Sequence, residues 1–353
     1  MAEAGGRPQG TAVGVGAMLT SVVIIQTGAS FGKRLIDEVP GPMAAVWLRL
    51  GTAGVCMLVF WGVRALVLAL RRRRECDKQA PSGSKTAGAG SGSGHEGAVC
   101  PAEGAPRAEA QPARPAHALA VTAVFCVVML TMNATIYEAF DRLPVGIAIT
   151  LEFLGPLGVA IAGSVRNGRR LPIGTRGASL AGDLALIACA GAGVALLGVR
   201  PVALNAVGVV FALVAALCWA GYITLGGYVS RWYSSPRVLT VAWLVALLGF
   251  AIPALEPHGA GFLTARVLGL AVVVALSSSA VPTVLELFAL GRVPPALFAI
   301  LESLAPAVAA LAAWPLLGEW LHPTDWLAIG LVVVASAGST WNNARRRALS
   351  AST

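Results

Sequence analysis

An all-α integral membrane protein of ten transmembrane helices, arranged as two inverted five-helix repeats, is the fold that this sequence predicts. The 353 residues are 56% hydrophobic and only 12% charged, and the mean hydropathy is +0.75. Apolar stretches long enough to cross a bilayer recur from one end of the chain to the other. Two segments 150 residues apart also share one sequence pattern. These three observations carry the prediction.

The low charge content excludes an ordinary soluble domain, in which about a quarter of the residues are charged. The formal net charge is +9, but the basic residues lie between the apolar stretches. This distribution indicates membrane topology and not a surface for nucleic acid. We therefore predict membrane lipid as the surrounding solvent and no nucleic-acid partner.

The ten predicted spans follow one another with a single long interruption. Each is a mainly apolar stretch of roughly 17–25 residues, which covers about 30 Å of hydrocarbon as a helix. The spans are residues 12–31, 42–63, 118–138, 144–164, 182–199, 205–229, 238–254, 266–288, 294–316 and 323–341.

Residues 71–115 separate the second span from the third and differ in composition. They begin with four arginines and continue rich in Gly, Ser, Ala and Pro. Because such a segment cannot bury a core, we predict a disordered cytoplasmic linker. The first repeat then comprises residues 1–70 and 116–200, the second repeat residues 201–344, and a cytoplasmic tail residues 345–353.

The basic residues also predict an orientation. With a cytoplasmic N-terminus, twenty of the 26 Lys and Arg residues fall in cytoplasmic segments, five fall in outer loops, and Arg49 lies within a span. Cytoplasmic segments of membrane proteins carry such an excess. An even number of spans places the C-terminus in the cytoplasm as well, and we predict a multi-pass protein of the cell membrane.

The internal repeat relates residues 139–157 to residues 289–307 through the pattern R-x-P-x6-L-E-x-L-x-P. A repeat of five spans contains an odd number of crossings, so the second half has the opposite orientation to the first. Inverted repeats are common in secondary transporters, which hold their substrate near the midplane between the halves. The repeat therefore favours alternating access.

The repeat places an acidic residue near the midplane in each half. Glu152 and Glu302 follow the start of their spans by about eight residues, or roughly 12 Å of helix. Pro156 and Pro306 come four residues later and remove a backbone hydrogen bond from the same stretch. Acidic residues at this depth are costly, and most have a function. Each could bind a substrate ammonium or a proton, or could be a structural carboxylate that fixes helix packing.

Arg49 lies about seven residues into the second span, at a depth similar to that of Glu152. Two interpretations remain open. A buried ion pair with Glu152 would offset the cost of either charge. Alternatively, Arg49 could bind a substrate carboxylate.

Four further side chains are candidates for the wall of a substrate cavity. Gln26 and Ser30 occupy the first span, and Trp219 and Tyr222 the sixth. The two aromatic residues could supply an apolar wall and a hydroxyl, or could serve only in core or interfacial packing.

The remaining reactive residues predict neither a metal site nor an enzyme. The six cysteines form no CxxC pair and are interpreted as packing residues, and the four histidines are scattered. Motifs for ATP binding, dinucleotide binding and zinc proteolysis do not occur, so we predict no cofactor. Five other acidic residues lie near span ends, where headgroup exposure explains them: Glu138, Asp141, Asp183, Glu286 and Glu319.

Several strings resemble the EamA family of the drug/metabolite transporter superfamily, and in particular bacterial exporters of threonine and homoserine. They are IQTGAS (25–30), LPVGIAITLEFLGPLGVAI (143–161), CWAGYI (218–223), VLELFALGRVP (284–294) and LGEWLHPTDWLAIG (317–330). The resemblance implies export of amino acids or related metabolites, driven by an ion gradient and most simply by protons. Glu152 matches the family position directly, whereas the family's second acid often precedes the proline, where this chain has Ala305.

Three functional hypotheses follow. The first is a proton-coupled exporter of small amino acids, and the second is an exporter of other metabolites or drugs. The third, from a different class, is a non-transporting scaffold or an intramembrane enzyme. Assembly as a homodimer is compatible with each of them.

Overall fold

The computed structural model describes residues 8–79, 117–168, 173–198, 204–233, 235–255, 259–290 and 292–351. Within these residues, the chain forms fourteen α-helices and one π-helical segment and contains no strand. The predicted all-α class is therefore confirmed.

The helices up to residue 198 belong to the predicted first repeat. They are α1 (Pro8–Glu38), α2 (Pro42–Gln79), α3 (Ala118–Arg142), α4 (Val145–Glu152), α5 (Leu154–Gly168) and α6 (Ile173–Gly198).

The helices from residue 206 onward belong to the predicted second repeat. They are α7 (Ala206–Val229), α8 (Ser235–Gly249), α9 (Ala251–Leu255), α10 (Ala265–Ala275), the π-helical segment (Leu276–Ala280), α11 (Val281–Leu290), α12 (Pro295–Glu302), α13 (Ala305–Leu317) and α14 (Pro323–Ala351).

Each of the ten predicted spans overlaps helical structure, and by length and composition seven segments of the described chain can cross a membrane. They are Thr11–Glu38, Pro42–Arg71, Ala118–Arg142, Val145–Gly163, Ala206–Val229, Ala265–Glu286 and Leu297–Leu317. Leu184–Leu196 and Arg237–Gly249 are shorter apolar helices. The chain is thus a multi-pass membrane protein, and the count of ten spans stays a prediction.

Two helices extend beyond the predicted boundaries. α2 continues to Gln79 and so includes residues 71–79, which the composition assigned to a disordered linker. The arginines of this stretch are good helix formers, so the helix propagates past the apolar sequence. The rest of the predicted linker lies outside the described residues. α14 likewise reaches Ala351, beyond the predicted start of the tail at residue 345.

The two segments that share the R-x-P-x6-L-E-x-L-x-P pattern each contain a broken helix. Pro144 caps α4 with φ −56° and ψ 137°, and Pro294 caps α12 with φ −56° and ψ 139°. Both helices end after eight residues, at Glu152 and Glu302, and a second helix begins within three residues. Because proline has no N–H, the carbonyls of both glutamates lack their i+4 helical donor. The two segments therefore share one helix–break–helix conformation.

The helices pack closely through small residues. α1 contacts α11 and α13, α2 contacts α8, α3 contacts α7, and α14 contacts α5 and α6. At Gly155 the approach of α5 to α7 is so close that a Cβ atom would lie 2.0 Å from the Ala216 carbonyl oxygen. Close backbone approach at small residues is typical of helix pairs in membranes. Large apolar side chains such as Leu217 and Leu248 are exposed, as expected of a lipid-facing surface.

Candidate functional site

A cavity of about 1370 Å³ lies among the helices and is larger than most small-molecule pockets. Its wall combines apolar and aromatic side chains with several polar and charged ones. The charged residues in the wall are Arg49, Glu152, Arg166, Glu286 and Glu302. A concave, mostly apolar site with few polar groups is what a small-molecule site requires.

The cavity runs from the interior of the protein to one end of the helices. Glu152, at the break between α4 and α5, is only 9% exposed. Arg166, near the C-terminal end of α5, is exposed and lines the same cavity. Asn343, near the end of α14, lines it as well. The cavity therefore reaches the protein surface at this end.

Arg49 and Glu152 face the cavity from different helices without forming a direct ion pair. Their charges interact electrostatically, but among the described residues Arg49 has no carboxylate oxygen within 4.0 Å. The direct buried pair that the sequence left open is not formed in this conformation. Opposite charges that share a cavity without contact can bind the two charged groups of a zwitterion.

Arg49 is held by two contacts from other helices. Its Nη2 donates a hydrogen bond to the Ser278 carbonyl at 3.3 Å, and its Cζ lies 5.3 Å from the centroid of the Tyr137 ring. Ser278 belongs to the π-helical segment, where Gly28 of α1 approaches closely enough that a Cβ atom would lie 2.9 Å from the Ser278 backbone. π-Helical turns inside α-helices are frequent at functional sites. The segment thus positions an acceptor for the half-buried arginine.

Glu302 and Glu286 form a second acidic group in the cavity. Glu302 ends α12, and Glu286 lies on α11; the two carboxylates interact electrostatically. The Ser21 hydroxyl of α1 donates to Glu286 Oε1 at 3.1 Å. The position of Glu286 near a span end predicts headgroup exposure, and this prediction is wrong because Glu286 lines the cavity. A sequence signal was present, because Glu286 is the one charged residue between Arg266 and Arg292.

The two predicted aromatic residues, Trp219 and Tyr222, line the cavity and also pack against other aromatic rings. Trp219 makes an edge-to-face contact with Phe153, with ring centroids 5.1 Å apart. Tyr222 stacks on Phe125 at 5.0 Å, with an interplanar angle of 25°. Packing fixes the orientation of the two rings, so the structure accommodates both interpretations that the sequence left open.

The other four candidates divide into lining and non-lining residues. Gln26 and Pro156 line the cavity. Ser30 is fully buried, does not line the cavity, and donates its hydroxyl to the Gln26 carbonyl at 3.4 Å. Pro306 is buried in the first turn of α13 and does not line the cavity either. The prediction that Ser30 lines the cavity is therefore not met in this conformation. Its hydroxyl is satisfied by a carbonyl of its own helix.

Three of the other acidic residues take part in ion pairs away from the cavity wall. Glu138 and Asp141 lie 2.6 Å and 3.4 Å from Arg142, and Glu319 lies 2.7 Å from Lys33. The side chain of Asp183 lies outside the described part of the structure. In the described ranges, no group of three His, Cys, Asp or Glu residues could hold a metal ion.

Long apolar helices around a mostly apolar cavity with a few charged groups are typical of a multi-pass transport protein. Residues 206–341 match the EamA-like transporter family. The chain is 34% identical over 212 residues to the threonine/homoserine exporter RhtA of Escherichia coli strain K12, covering 59% of this chain and 67% of that protein. The exporter of the same name from Salmonella typhimurium strain SL1344 is 33% identical over the same length. The chain belongs to the EamA-like transporter family.

A solved crystal structure supports the fold over nearly the whole chain. It aligns with a TM-score of 0.54 and covers 96% of this chain and 99% of its own, at 15% sequence identity. At this identity the likeness concerns the fold alone.

Proposed function

We propose that the protein is a secondary active transporter that exports small amino acids of the threonine and homoserine type across the inner membrane by proton antiport. The observation that carries the proposal is the shared cavity of Arg49 and Glu152, two opposite charges that do not contact each other. An α-amino acid places its carboxylate on Arg49 and its ammonium on Glu152. The names of the related exporters support this substrate class.

The proposed architecture comprises ten spans in two inverted halves with both termini in the cytoplasm. The matching helix–break–helix segments that end α4 and α12 at glutamate support a duplication. An even number of crossings places the surface end of the cavity, at Arg166 and Asn343, on the cytoplasmic side. The described conformation is then the inward-facing state of an alternating-access cycle.

Counterflow in proteoliposomes tests the proposal directly. Vesicles preloaded with unlabelled threonine should accumulate labelled threonine, and homoserine inside should substitute for it. A panel of other amino acids and unrelated drugs measures selectivity. Failure of threonine and homoserine to exchange, in protein that elutes as a single folded species, would contradict the amino-acid assignment.

A second candidate function, export of larger metabolites or drugs, is favoured by the size and lining of the cavity. Its volume of about 1370 Å³ exceeds what a small amino acid fills, and Phe153, Trp219 and Tyr222 contribute aromatic surface. Aromatic walls favour bulky apolar cargo. Counterflow of a labelled drug in vesicles that exchange no threonine or homoserine would support this function over the first.

A further inference from the structure

The cavity contains two separate acidic groups, and only one of them faces a basic side chain. Glu152 interacts electrostatically with Arg49 across the cavity. Glu286 and Glu302, in contrast, have no Lys or Arg nitrogen within 4.0 Å among the described residues. Two neighbouring carboxylates without a protein cation resist simultaneous ionisation. This pair therefore needs a partner that the protein does not supply.

Two residues of the same cavity have buried polar atoms without a hydrogen-bond partner. Among the described residues, Glu302 Oε2 and Gln26 Oε1 are buried without a hydrogen-bond partner, and both residues line the cavity. Gln26 is only 5% exposed. Gln26 follows Ser21 along α1, and the Ser21 hydroxyl donates a hydrogen bond to Glu286. A buried acceptor without a donor is unfavourable, so such atoms usually mark a ligand or proton site.

The groups around the acidic pair are of a kind that accommodates a proton. α1 contributes Ser21 and Gln26, and α7 contributes the Tyr222 phenol, which interacts electrostatically with Glu286. Among the described residues of these two helices, none places a Lys or Arg nitrogen within 4.0 Å of either carboxylate. The charged groups elsewhere in the cavity are Arg49, Glu152 and Arg166. A carboxyl group that carries a proton becomes a donor, and the orphan acceptors then gain a hydrogen bond.

We propose that Glu286 and Glu302 form the proton site of the transporter, with one proton held by one of the two carboxylates, and that Glu152 and Arg49 bind the zwitterionic substrate. This assignment rests on the proposed function and separates two roles within the same cavity. Protonation adds one proton to one carboxylate, and release returns it to water. Neither protonation nor release requires another reactant.

The division of roles predicts a split between two transport assays. Counterflow exchanges substrate at equal pH and needs only the substrate site, whereas uptake driven by an imposed pH gradient also needs the proton site. Glu302→Gln and Glu286→Gln should reduce gradient-driven uptake at least about tenfold more than they reduce threonine counterflow. Glu302→Asp keeps a carboxyl group and should retain part of the driven uptake. Glu38→Gln, which alters an exposed carboxylate paired with Arg266, is the control and should change neither assay.

A measurement without substrate keeps this proposal separate from the amino-acid assignment. Infrared difference spectra of the full-length protein between acidic and alkaline buffers report the carboxylic acid stretch directly. Wild type should show a band that both Gln variants lose and that Glu38→Gln keeps. If the Gln variants lose the band but wild-type protein exchanges no threonine, the proposed substrate is wrong and the proton site is supported.

Three results would overturn the proton site. Equal loss of counterflow and driven uptake in the Gln variants would place the pair in the substrate site or in the structure. Full retention of driven uptake would place the proton elsewhere. Uptake by wild type that follows a sodium gradient and ignores a pH gradient would assign the cavity to a different cation.

Discussion

Lys33 and Glu319 form an ion pair of 2.7 Å that joins α1 to the loop before α14. The same lysine donates to the Leu143 carbonyl at 2.8 Å, and the second oxygen of Glu319 accepts from the Val145 amide at 2.8 Å. These contacts meet at the start of α4, next to the capping residue Pro144. The network lies at the end of the helices opposite Arg166. It therefore holds together the elements that have to separate if the cavity is to open on that side.

Breaking this ion pair should increase access to the cavity from the outer side. Lys33→Met or Glu319→Gln removes a partly buried, charge-assisted contact, and a loss of about 1.4 kcal/mol shifts a two-state equilibrium about tenfold. The measurement is labelling by an impermeant maleimide at Ala29→Cys, a cavity position one turn from Lys33, with the native cysteines replaced. We expect labelling from outside to rise about fivefold or more.

The charge swap Lys33→Glu with Glu319→Lys provides the matched control for the ion pair between these residues. Each single reversal places like charges together, whereas the double variant restores opposite charges and should return labelling towards the wild-type rate. Glu38→Gln breaks the more exposed pair with Arg266 and should have little effect. Unchanged labelling in every Lys33 and Glu319 variant would show that the pair does not control access.

Glu152→Gln should reduce both counterflow and gradient-driven uptake to near background. The substitution keeps the shape of the side chain but removes the charge that we assign to the substrate ammonium. Because the glutamine is isosteric, expression and elution from a sizing column should match wild type. Near-normal flux in either assay would refute the role of Glu152.

Much of this site could be predicted from the order of residues along single helices. Depth follows from the distance to the start of a span, so the sequence predicts Glu152, Glu302 and Arg49 at similar depths, and all three line the cavity. The proline spacing likewise predicted where α4 and α12 break. These features depend on local covalent geometry, which the sequence specifies directly.

The missed features depend on contacts between distant segments. Glu286 faces the cavity because α11 follows a π-helical segment and packs against α1, where Ser21 donates to it. The pairing of Lys33 with Glu319 joins residues 286 positions apart. Hydropathy and spacing measure depth along one helix but not the direction that a side chain faces. Ser30 illustrates the same limit, since it shares a turn with Gln26 but does not line the cavity.

Gly155→Ala should destabilise the protein, whereas Gly158→Ala should not. A Cβ atom at position 155 would lie 2.0 Å from the Ala216 carbonyl oxygen, so α5 and α7 would have to separate. Overpacking of this kind costs typically about 1–3 kcal/mol. At Gly158, on the same helix, nothing lies within 4 Å of the added atom. Thermal unfolding in detergent, followed by sizing chromatography, measures the difference, and equal stability of the two variants would contradict the close approach.

Pro306→Ala should stabilise the helix and slow transport. The alanine restores an N–H four residues after Glu302 and allows α12 and α13 to join through the missing backbone hydrogen bond. If the break lets the two helices move independently during alternating access, the repaired helix should resist that movement. Initial rates of threonine counterflow should fall at least about fivefold while the unfolding temperature stays equal or rises.

The interpretation of Pro306→Ala depends on a comparison with Pro315→Ala, which alters a proline inside α13 beyond the break. This control repairs a backbone hydrogen bond without touching the turn that follows Glu302. Comparable slowing in both variants would indicate a general effect of helix rigidity. Slowing that is confined to Pro306→Ala would assign the movement to the break beside Glu302, because only there does the restored hydrogen bond constrain a residue of the cavity.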